Sequence, residues 1–279
     1  MISSEATDNL VQDAAVLLGE SVIRAQVLAG GDLSPVVSLS LTDGREVVAK
    51  GGPFPRIEGA MLQALSGAGA PVPRVLAVSE RILVLERLAE GGGLAGSGWA
   101  ELGTMLRALH SAPGAGEVAP YGWAEDYAFG SVAIPNAPLA SWPDFWAERR
   151  LRPSLPALPS GLAHRVERVA ADLRDRLPDR PFPALLHGDL WVGNVLASQG
   201  RLSGLIDPAC YYGDAEVDLA MLHLFGAPGP SFKQAYGALE PGWEERRAVY
   251  QLWPALVHVR LFGAGYHGML AGLLNRLGA

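Results

Sequence analysis

The chain has 279 residues and a formal net charge of −7, and 49% of its residues are hydrophobic. These values predict a globular protein, and the lack of a basic block excludes nucleic acid and anionic membranes as expected partners. The single cysteine, Cys210, rules out an internal disulfide framework and fits a reducing compartment. The N-terminus lacks the basic and apolar regions of a signal peptide, so we expect a cytoplasmic protein.

The first 90 residues combine two helix patterns with five strand patterns. Asp43-Gly44 is a strong hairpin signal between two of the strands. The apolar spacing predicts helices at 7–18 and 56–66, and strands at 21–29, 35–41, 46–50, 74–79 and 82–88. We expect these strands to form one small antiparallel sheet.

The remaining residues are predicted to be mainly helical. The stretch GGGLAGSG at 91–98 has the composition of a flexible connector. Residues 112–141 are rich in Pro, Gly and aromatic residues and are predicted to be irregular. Apolar periodicity predicts helices at 99–111, 142–152 and 160–177, from near 214, and through most of 231–275.

A polar loop within HGDLWVGN carries the strongest chemical signal. His187, Asp189 and Asn194 have the H-x-D-L-x-x-x-N spacing of a kinase catalytic loop, with Gly188 at the usual arginine position. Phosphoryl transfer needs a carboxylate to deprotonate the acceptor hydroxyl and oxygen ligands for Mg²⁺. Asp189 suits the first task, whereas Asn194 and Asp207, which ends the next apolar strand, suit the second. The alternative is a plain tight turn.

Two further polar residues are interpreted as structural. Asp218 lies on an apolar helical background, where a buried carboxylate needs partners, and bracing the backbone of the catalytic loop is a plausible use. His110, at the end of a predicted helix, is interpreted as a structural or capping histidine.

The strand EVVAK ends in Lys50, one of only two lysines in the chain. Its ammonium is a candidate partner for the α- and β-phosphates of ATP, and Glu58 in the next helix is a candidate ion-pair partner for it. Gly30 and Gly31 lie one hairpin earlier, in a turn that lets backbone N–H groups approach a phosphate. The alternative for Lys50 is a solvated strand end, and the alternative for Glu58 is a favourable contact with the helix dipole. The alternative for the glycine turn is an ordinary hairpin connection.

These features predict an α+β, bilobal, protein-kinase-like fold. Residues 1–90 would form the nucleotide-binding lobe, with a hinge at about 86–90 where the backbone of Glu86 and Leu88 binds adenine. Residues 91–279 would form the helical lobe that carries the catalytic loop and the substrate site.

HGDLWVGN followed by IDPACYYGDAEVDLAM resembles the fructosamine kinase (ketosamine kinase) family, a branch of the aminoglycoside-phosphotransferase-like enzymes. The resemblance covers most of the chain, since FGSVAIPN, WPDFWAERRLRPSL and VHVRLFGAGY also match. It implies an ATP- and Mg²⁺-dependent kinase that phosphorylates a sugar hydroxyl of a ketoamine, on a small amine or a glycated protein side chain. Phosphorylation of the sugar's third carbon makes the adduct labile, which amounts to deglycation repair.

The same resemblance assigns roles to individual residues. It implies Asp189 as the base, Asn194 and Asp207 as magnesium ligands, and Lys50 with Glu58 as the phosphate-positioning pair. Trp191 is typical of this branch, and an indole there can stack on a sugar; the alternative is a core tryptophan. His258 matches a family histidine near the substrate; the alternative is a buried, hydrogen-bonded histidine. Only eight residues separate Lys50 from Glu58, which is shorter than is usual in the family and weakens that pairing.

Two other functions stay open on the sequence. One is a kinase for an aminoglycoside, a choline-like amine or another sugar. The other is a nucleotide-binding regulator without turnover, which the joint presence of Lys50, Asp189, Asn194 and Asp207 disfavours. We expect a monomer or a weak homodimer.

Overall fold

The computed structural model describes residues 4–28, 35–112 and 120–279. Within residues 4–28 and 35–86, two helices accompany a five-stranded sheet. Its elements are α1 (Ser4–Leu18), β1 (Val22–Val27), β2 (Val36–Leu41), β3 (Glu46–Gly51), α2 (Pro55–Gly67), β4 (Val75–Val78) and β5 (Ile82–Glu86).

The sheet has the strand order β1-β2-β3-β5-β4, and every neighbouring pair is antiparallel. Side chains alternate between its two faces, as strand geometry requires. Val37, Leu39 and Val47 face α1, where they pack with Leu10 and Ala14. The opposite face packs Leu83 and Leu85 against Leu62 of α2. The prediction of a five-stranded antiparallel sheet is confirmed.

The rest of the described chain is mostly helical and carries three two-stranded sheets. Its strands are β6 (Tyr127–Phe129), β7 (Val132–Ile134), β8 (Ala184–Leu186), β9 (Val195–Ser198), β10 (Arg201–Leu205) and β11 (Tyr211–Gly213). Its α-helices are α3 (Gly96–His110), α4 (Trp142–Phe145), α5 (Ser160–Ala171), α6 (Leu173–Arg176), α7 (Glu216–Leu222), α8 (Pro230–Tyr236), α9 (Trp243–Phe262) and α10 (His267–Arg276).

Three predicted helices are interrupted, and the one predicted at 160–177 is divided into α5 and α6 at Asp172. The segment predicted at 142–152 begins as α4, continues as a π-helical turn over Trp146–Leu151 and ends as a 3₁₀ helix over Arg152–Ala157. The predicted 231–275 helix is divided after α8 and α9 by Gly237 and Gly263. Both glycines have positive φ, of 94° and 77°, a conformation that ends a helix.

The predicted connector is more ordered than its composition suggests. The Gly91 N–H donates to the Ala197 carbonyl and the Ala95 N–H to the Gly200 carbonyl, each at 2.8 Å. The connector therefore pairs with the β9–β10 hairpin, and α3 begins already at Gly96. The domain boundary near residue 90 stays a prediction. No helix in the described ranges has both the length and the hydropathy needed to cross a membrane.

Candidate active site

One cavity of about 390 Å³ is lined by most of the candidate residues, because several elements and loops meet beside it. β3 contributes its end, α2 its first turn, and the segments after β8 and β10 contribute the polar loops. The candidates that line it are Lys50, Glu58, Asp189, Trp191, Asn194, Asp207 and His258.

Lys50 lies between two carboxylates. Its Nζ is 2.7 Å from Glu58 Oε1 and 2.8 Å from Asp207 Oδ1. Burial disfavours the ammonium, but the two carboxylates outweigh it and the pKa of Lys50 is raised, so the side chain stays charged. The Lys50–Glu58 pair forms despite the short spacing because α2 begins only four residues after β3.

The geometry of Asp189 is fixed by Asn194. Asn194 Nδ2 donates to the Asp189 carbonyl oxygen at 2.8 Å and to Asp189 Oδ2 at 3.0 Å. The amide oxygen of Asn194 therefore remains for another partner. Burial raises the pKa of Asp189 to about 7, the Asn194 hydrogen bond opposes this rise, and the nearby Asp207 adds to it. Such a value suits a general base at neutral pH.

Asp218 of α7 holds the backbone of this loop. Its carboxylate accepts hydrogen bonds from the N–H of His187 at 2.8 Å and of Gly188 at 2.9 Å. His110 contributes a third contact at 3.2 Å, and its other ring nitrogen lies 3.0 Å from the Tyr236 hydroxyl. The expected brace is present, and His110 belongs to it.

Gly188 has a steric reason to replace the arginine usual in this motif. Its φ is +81°, which favours glycine, and a Cβ there would overlap the carbonyl group of Ala209. His187, beside it, is fully buried, and its Nε2 donates to the Ile206 carbonyl at 2.9 Å. Burial lowers the pKa of His187, which keeps the ring neutral and leaves Nδ1 to accept the Asp189 N–H at 3.3 Å.

Asp207 combines exposure with an unusual backbone. It is one of two non-glycine residues with positive φ in the described ranges, at +56°, and its side chain is 42% exposed. Local strain of this kind is frequent at functional sites. Oδ1 contacts Lys50, so Oδ2 is free to bind a cation.

The donor set around Asp207 fits magnesium. In the described ranges, no group of three or more His, Cys, Asp or Glu side chains is arranged to hold a metal. Asn194 and Asp207 instead offer two hard oxygen donors, and Mg²⁺ commonly takes one or two protein ligands and completes its shell with phosphates and water.

Trp191 and His258 line the opposite part of the cavity. The Trp191 side chain is 39% exposed, so it is not a core tryptophan. His258 Nδ1 donates to the Pro254 carbonyl at 2.7 Å, which fixes the ring and leaves Nε2 as its free nitrogen. Phe225 lies between the two, with ring centroids 6.0 Å from Trp191 and 5.3 Å from His258.

The remaining candidates lie elsewhere. Glu86 ends β5, where its N–H donates to the Arg74 carbonyl at 2.9 Å and its carboxylate pairs with the Arg74 side chain. Leu88 packs beside Gly204 of β10. Neither is among the described residues that line the cavity. Gly30 and Gly31 lie outside the described residues.

In the described part of the chain, the cavity is lined by seven aromatic residues that the sequence interpretation did not assign to the site. Four of them are Tyr127, Phe225, Phe262 and Tyr266. Tyr127 is the most consequential, because its hydroxyl donates to Glu58 Oε2 at 3.1 Å. Tyr266 ends the family-like segment VHVRLFGAGY, which was the only signal that could have found it.

The fold and this site together place the chain in the class of kinase-like phosphotransferases that act on a hydroxyl group. The fructosamine kinase family model matches residues 49–278. A probable ketoamine kinase of Thermus thermophilus is 38% identical over 92% of this chain and 97% of its own length. The chain belongs to the fructosamine kinase family.

Other comparisons agree. A probable ketoamine kinase of Synechocystis is 40% identical, and the match spans 70% of this chain and 66% of that protein, just under two thirds of its length. A solved structure from Thermobifida fusca, described as a fructosamine-3-kinase, superposes with a TM-score of 0.86 at 32% identity and covers 97% of this chain and 98% of that one. A macrolide 2′-phosphotransferase from Brachybacterium faecium, at 19% identity and a TM-score of 0.62 over 96% and 98% of the two chains, shares the fold alone.

Proposed function

We propose that this protein is an ATP- and Mg²⁺-dependent kinase that phosphorylates a sugar hydroxyl of a ketoamine, as a step of deglycation. One observation carries the proposal. Lys50, Asp189, Asn194 and Asp207 line a single cavity, with Asp207 2.8 Å from Lys50 and Asn194 Nδ2 3.0 Å from Asp189 Oδ2. This set contains the base, the cation ligands and the phosphate-binding cation that phosphoryl transfer needs.

Asp189 acts as the general base. Its carboxylate accepts the proton of the acceptor hydroxyl as the oxygen attacks the γ-phosphorus. The bond from that phosphorus to the β–γ bridging oxygen breaks and ADP leaves. A pKa of about 7 matches the task of a base. Asn194 orients the carboxylate through its hydrogen bond to Oδ2, so the remaining oxygen is directed towards the substrate.

The nucleotide is held by residues from both lobes. Asn194 and Asp207 would hold Mg²⁺, which when bound neutralises phosphate charge. Lys50 pairs with the α- and β-phosphates while Glu58 keeps its ammonium in place. The backbone of Glu86 and Leu88 for adenine, and of Gly30 and Gly31 for the phosphates, remain the predicted contacts.

The sugar lies against Trp191, with His258 near the amine end. An indole that is 39% exposed beside the base offers an apolar face to a sugar ring. An aminoglycoside is less favoured, because polycations need acidic walls and the described carboxylates of the cavity are Glu58, Asp189 and Asp207, close to Lys50 or Asn194.

An ATP-consumption panel tests the function. Fructosyl-, ribulosyl- and erythrulosyl-amines, aminoglycosides and choline are each incubated with ATP and Mg²⁺, and ADP is measured. We expect turnover with one or more ketoamines and none with the other compounds. Phosphorylation of an aminoglycoside or choline alone would contradict the substrate class, and nucleotide binding without turnover on any compound would favour a regulator. The predicted monomer or weak homodimer is tested separately by light scattering.

A further inference from the structure

We propose that a cage of five rings binds the ammonium nitrogen of the ketoamine and the carbon chain attached to it. The cage consists of Trp191, Phe225, His258, Phe262 and Tyr266, all of which line the active-site cavity. The inference rests on the proposed function and defines which amines that site accepts.

The rings form one continuous wall. Phe225 lies between Trp191 and His258, and His258 has centroids 5.6 Å from Phe262 and 4.8 Å from Tyr266. Neighbouring rings in this run are tilted by 39° to 71°, so the wall is not a flat stack. A wall of tilted rings is curved, and all five of these residues border the same cavity.

This wall is open to solvent. Phe225 is 46% exposed and Phe262 is 50% exposed, although both line a cavity that reaches Asp189. Exposed apolar side chains in the same cavity as the reacting groups suit the part of the substrate that extends from the reacting hydroxyl towards solvent.

The charge distribution indicates what the wall accepts. The charged Lys, Arg, Asp and Glu side chains among the described lining residues are Lys50, Glu58, Asp189 and Asp207. Lys50 contacts Glu58 and Asp207, and Asp189 is bonded to Asn194, so all four belong to the reacting end. The cage residues therefore include no carboxylate that could pair with a cation, and no lysine or arginine that could pair with a carboxylate.

A ketoamine nitrogen is a secondary amine, which is protonated at neutral pH as lysine is. A cation inside an apolar wall needs compensation, and aromatic faces within about 6 Å supply it through cation–π attraction. His258 adds an acceptor, because its Nδ1 is committed to Pro254 and its Nε2 is free to accept an ammonium N–H.

The cage consequently selects amines by charge. It accepts an alkyl chain next to the nitrogen, whether from a small amine or a lysine side chain. It disfavours a carboxylate next to the nitrogen, because the described cage residues include no lysine or arginine to pair with it.

The test measures binding without turnover, on the whole protein in the absence of nucleotide. Ligand-observed NMR gives Kd for N-methylbutylammonium, for butyl methyl ether and for N-butylglycine. The ether has the same shape without the charge, and N-butylglycine adds the carboxylate. We expect the ammonium to bind about 2- to 30-fold more tightly than the ether, and N-butylglycine to bind more weakly than the ammonium.

Substitutions locate the site. Phe225→Leu and Phe262→Leu retain apolar bulk but remove the π-face, so each should weaken ammonium binding while leaving ether binding nearly unchanged. Phe182→Leu is the matched control, since Phe182 is 57% exposed and is not among the lining residues. Equal Kd values for the ammonium and the ether, or equal effects of all three substitutions, would overturn the proposal.

A fourth ligand, end-blocked Nε-methyllysine, separates the two sources of the amine. Binding comparable to that of N-methylbutylammonium supports a cage for glycated protein side chains, whereas binding of the small amine alone supports a cage for free metabolites.

The cage and the proposed function can be rejected independently of each other. Selective ammonium binding without ketoamine phosphorylation rejects only the function, and ketoamine phosphorylation without charge selectivity rejects only the cage.

Discussion

Asp189 is the residue on which the proposed chemistry depends most directly. Burial raises its pKa most strongly, and its two neighbours have opposite effects, because the hydrogen bond from Asn194 lowers the pKa while the charge of Asp207 raises it. The result is a base that is oriented and has a pKa close to neutral. This combination arises from contacts and not from the identity of the residue alone.

We predict that Asp189→Asn lowers kcat by about 10²- to 10⁴-fold, because the amide cannot accept the hydroxyl proton. Nucleotide affinity should change little, since the variant keeps the size of the side chain. Steady-state kinetics and nucleotide titration measure the two effects. Asp175→Asn, at an exposed position on α6, is the control. Normal turnover by Asp189→Asn would remove this residue from the role of base.

Trp191→Ala should raise the KM for the ketoamine and leave the KM for ATP nearly unchanged, because the indole faces the sugar in the proposed complex. The exposed side chain contributes little to the core, so we expect only a small change in melting temperature. Kinetics with each substrate varied in turn measure the difference. An unchanged acceptor KM would show that the indole does not contact the sugar.

At the scale of elements, the β6–β7 hairpin connects the helical part with α2. Tyr127 of β6 donates to Glu58, and its ring lies 6.2 Å from that of Phe54. Arg150 secures the segment after β7, where it donates to the Pro135 carbonyl at 2.7 Å. The Lys50–Glu58 ion pair is therefore supported by a hydrogen bond from the β6–β7 hairpin.

Tyr127→Phe tests this support. The substitution leaves Glu58 Oε2 without its buried donor, and a hydrogen bond to a charged group is worth enough to lower kcat/KM for ATP about tenfold. Tyr212→Phe is the control, because Tyr212 stacks on Trp123 and is not among the described cavity residues. Equal kinetics for the two variants would mean that the hairpin does not hold Glu58.

At the scale of the whole molecule, Asp218 joins several elements into one network. Through His110 it connects α7 with α3, and through Tyr236 it reaches α8. Burial alone would raise the pKa of Asp218, but the hydrogen bond from His110 and the backbone donor of Gly188 lower it below its ordinary value of 3.8. Its carboxylate therefore stabilises the folded state while it is ionised.

Asp218→Asn should lower the free energy of unfolding by about 1–3 kcal/mol at pH 7, because the new amide places a donor against backbone donors. A depressed folded-state pKa contributes stability above pH 3.8, and this contribution disappears as the pH falls through the folded value. The difference in the free energy of unfolding between wild type and variant should thus become smaller in acid. Urea unfolding from pH 7 to pH 3 measures it, and a gap independent of pH would contradict the linkage.

Local patterns determined much of this protein. The alternation of apolar residues predicted all five strands of the first sheet. The spacing of Asp189 and Asn194 placed both in one catalytic loop, and their hydrogen bond needs no help from distant elements, because they are only five positions apart. The same local patterns misjudged 91–98, since the hairpin that pairs with this connector lies about a hundred residues further along the chain.

Only the tertiary structure decided how distant groups meet. Lys50 and Asp207 are 157 positions apart, and the aromatic wall combines Trp191, Phe225 and the end of α9. No periodicity in the sequence predicts these contacts, because they depend on how the lobes and helices pack and not on local conformation. The sequence alone determined the chemical class of the reacting end, whereas packing decided the ion-pair partners of Lys50, the support from Tyr127 and the character of the amine end.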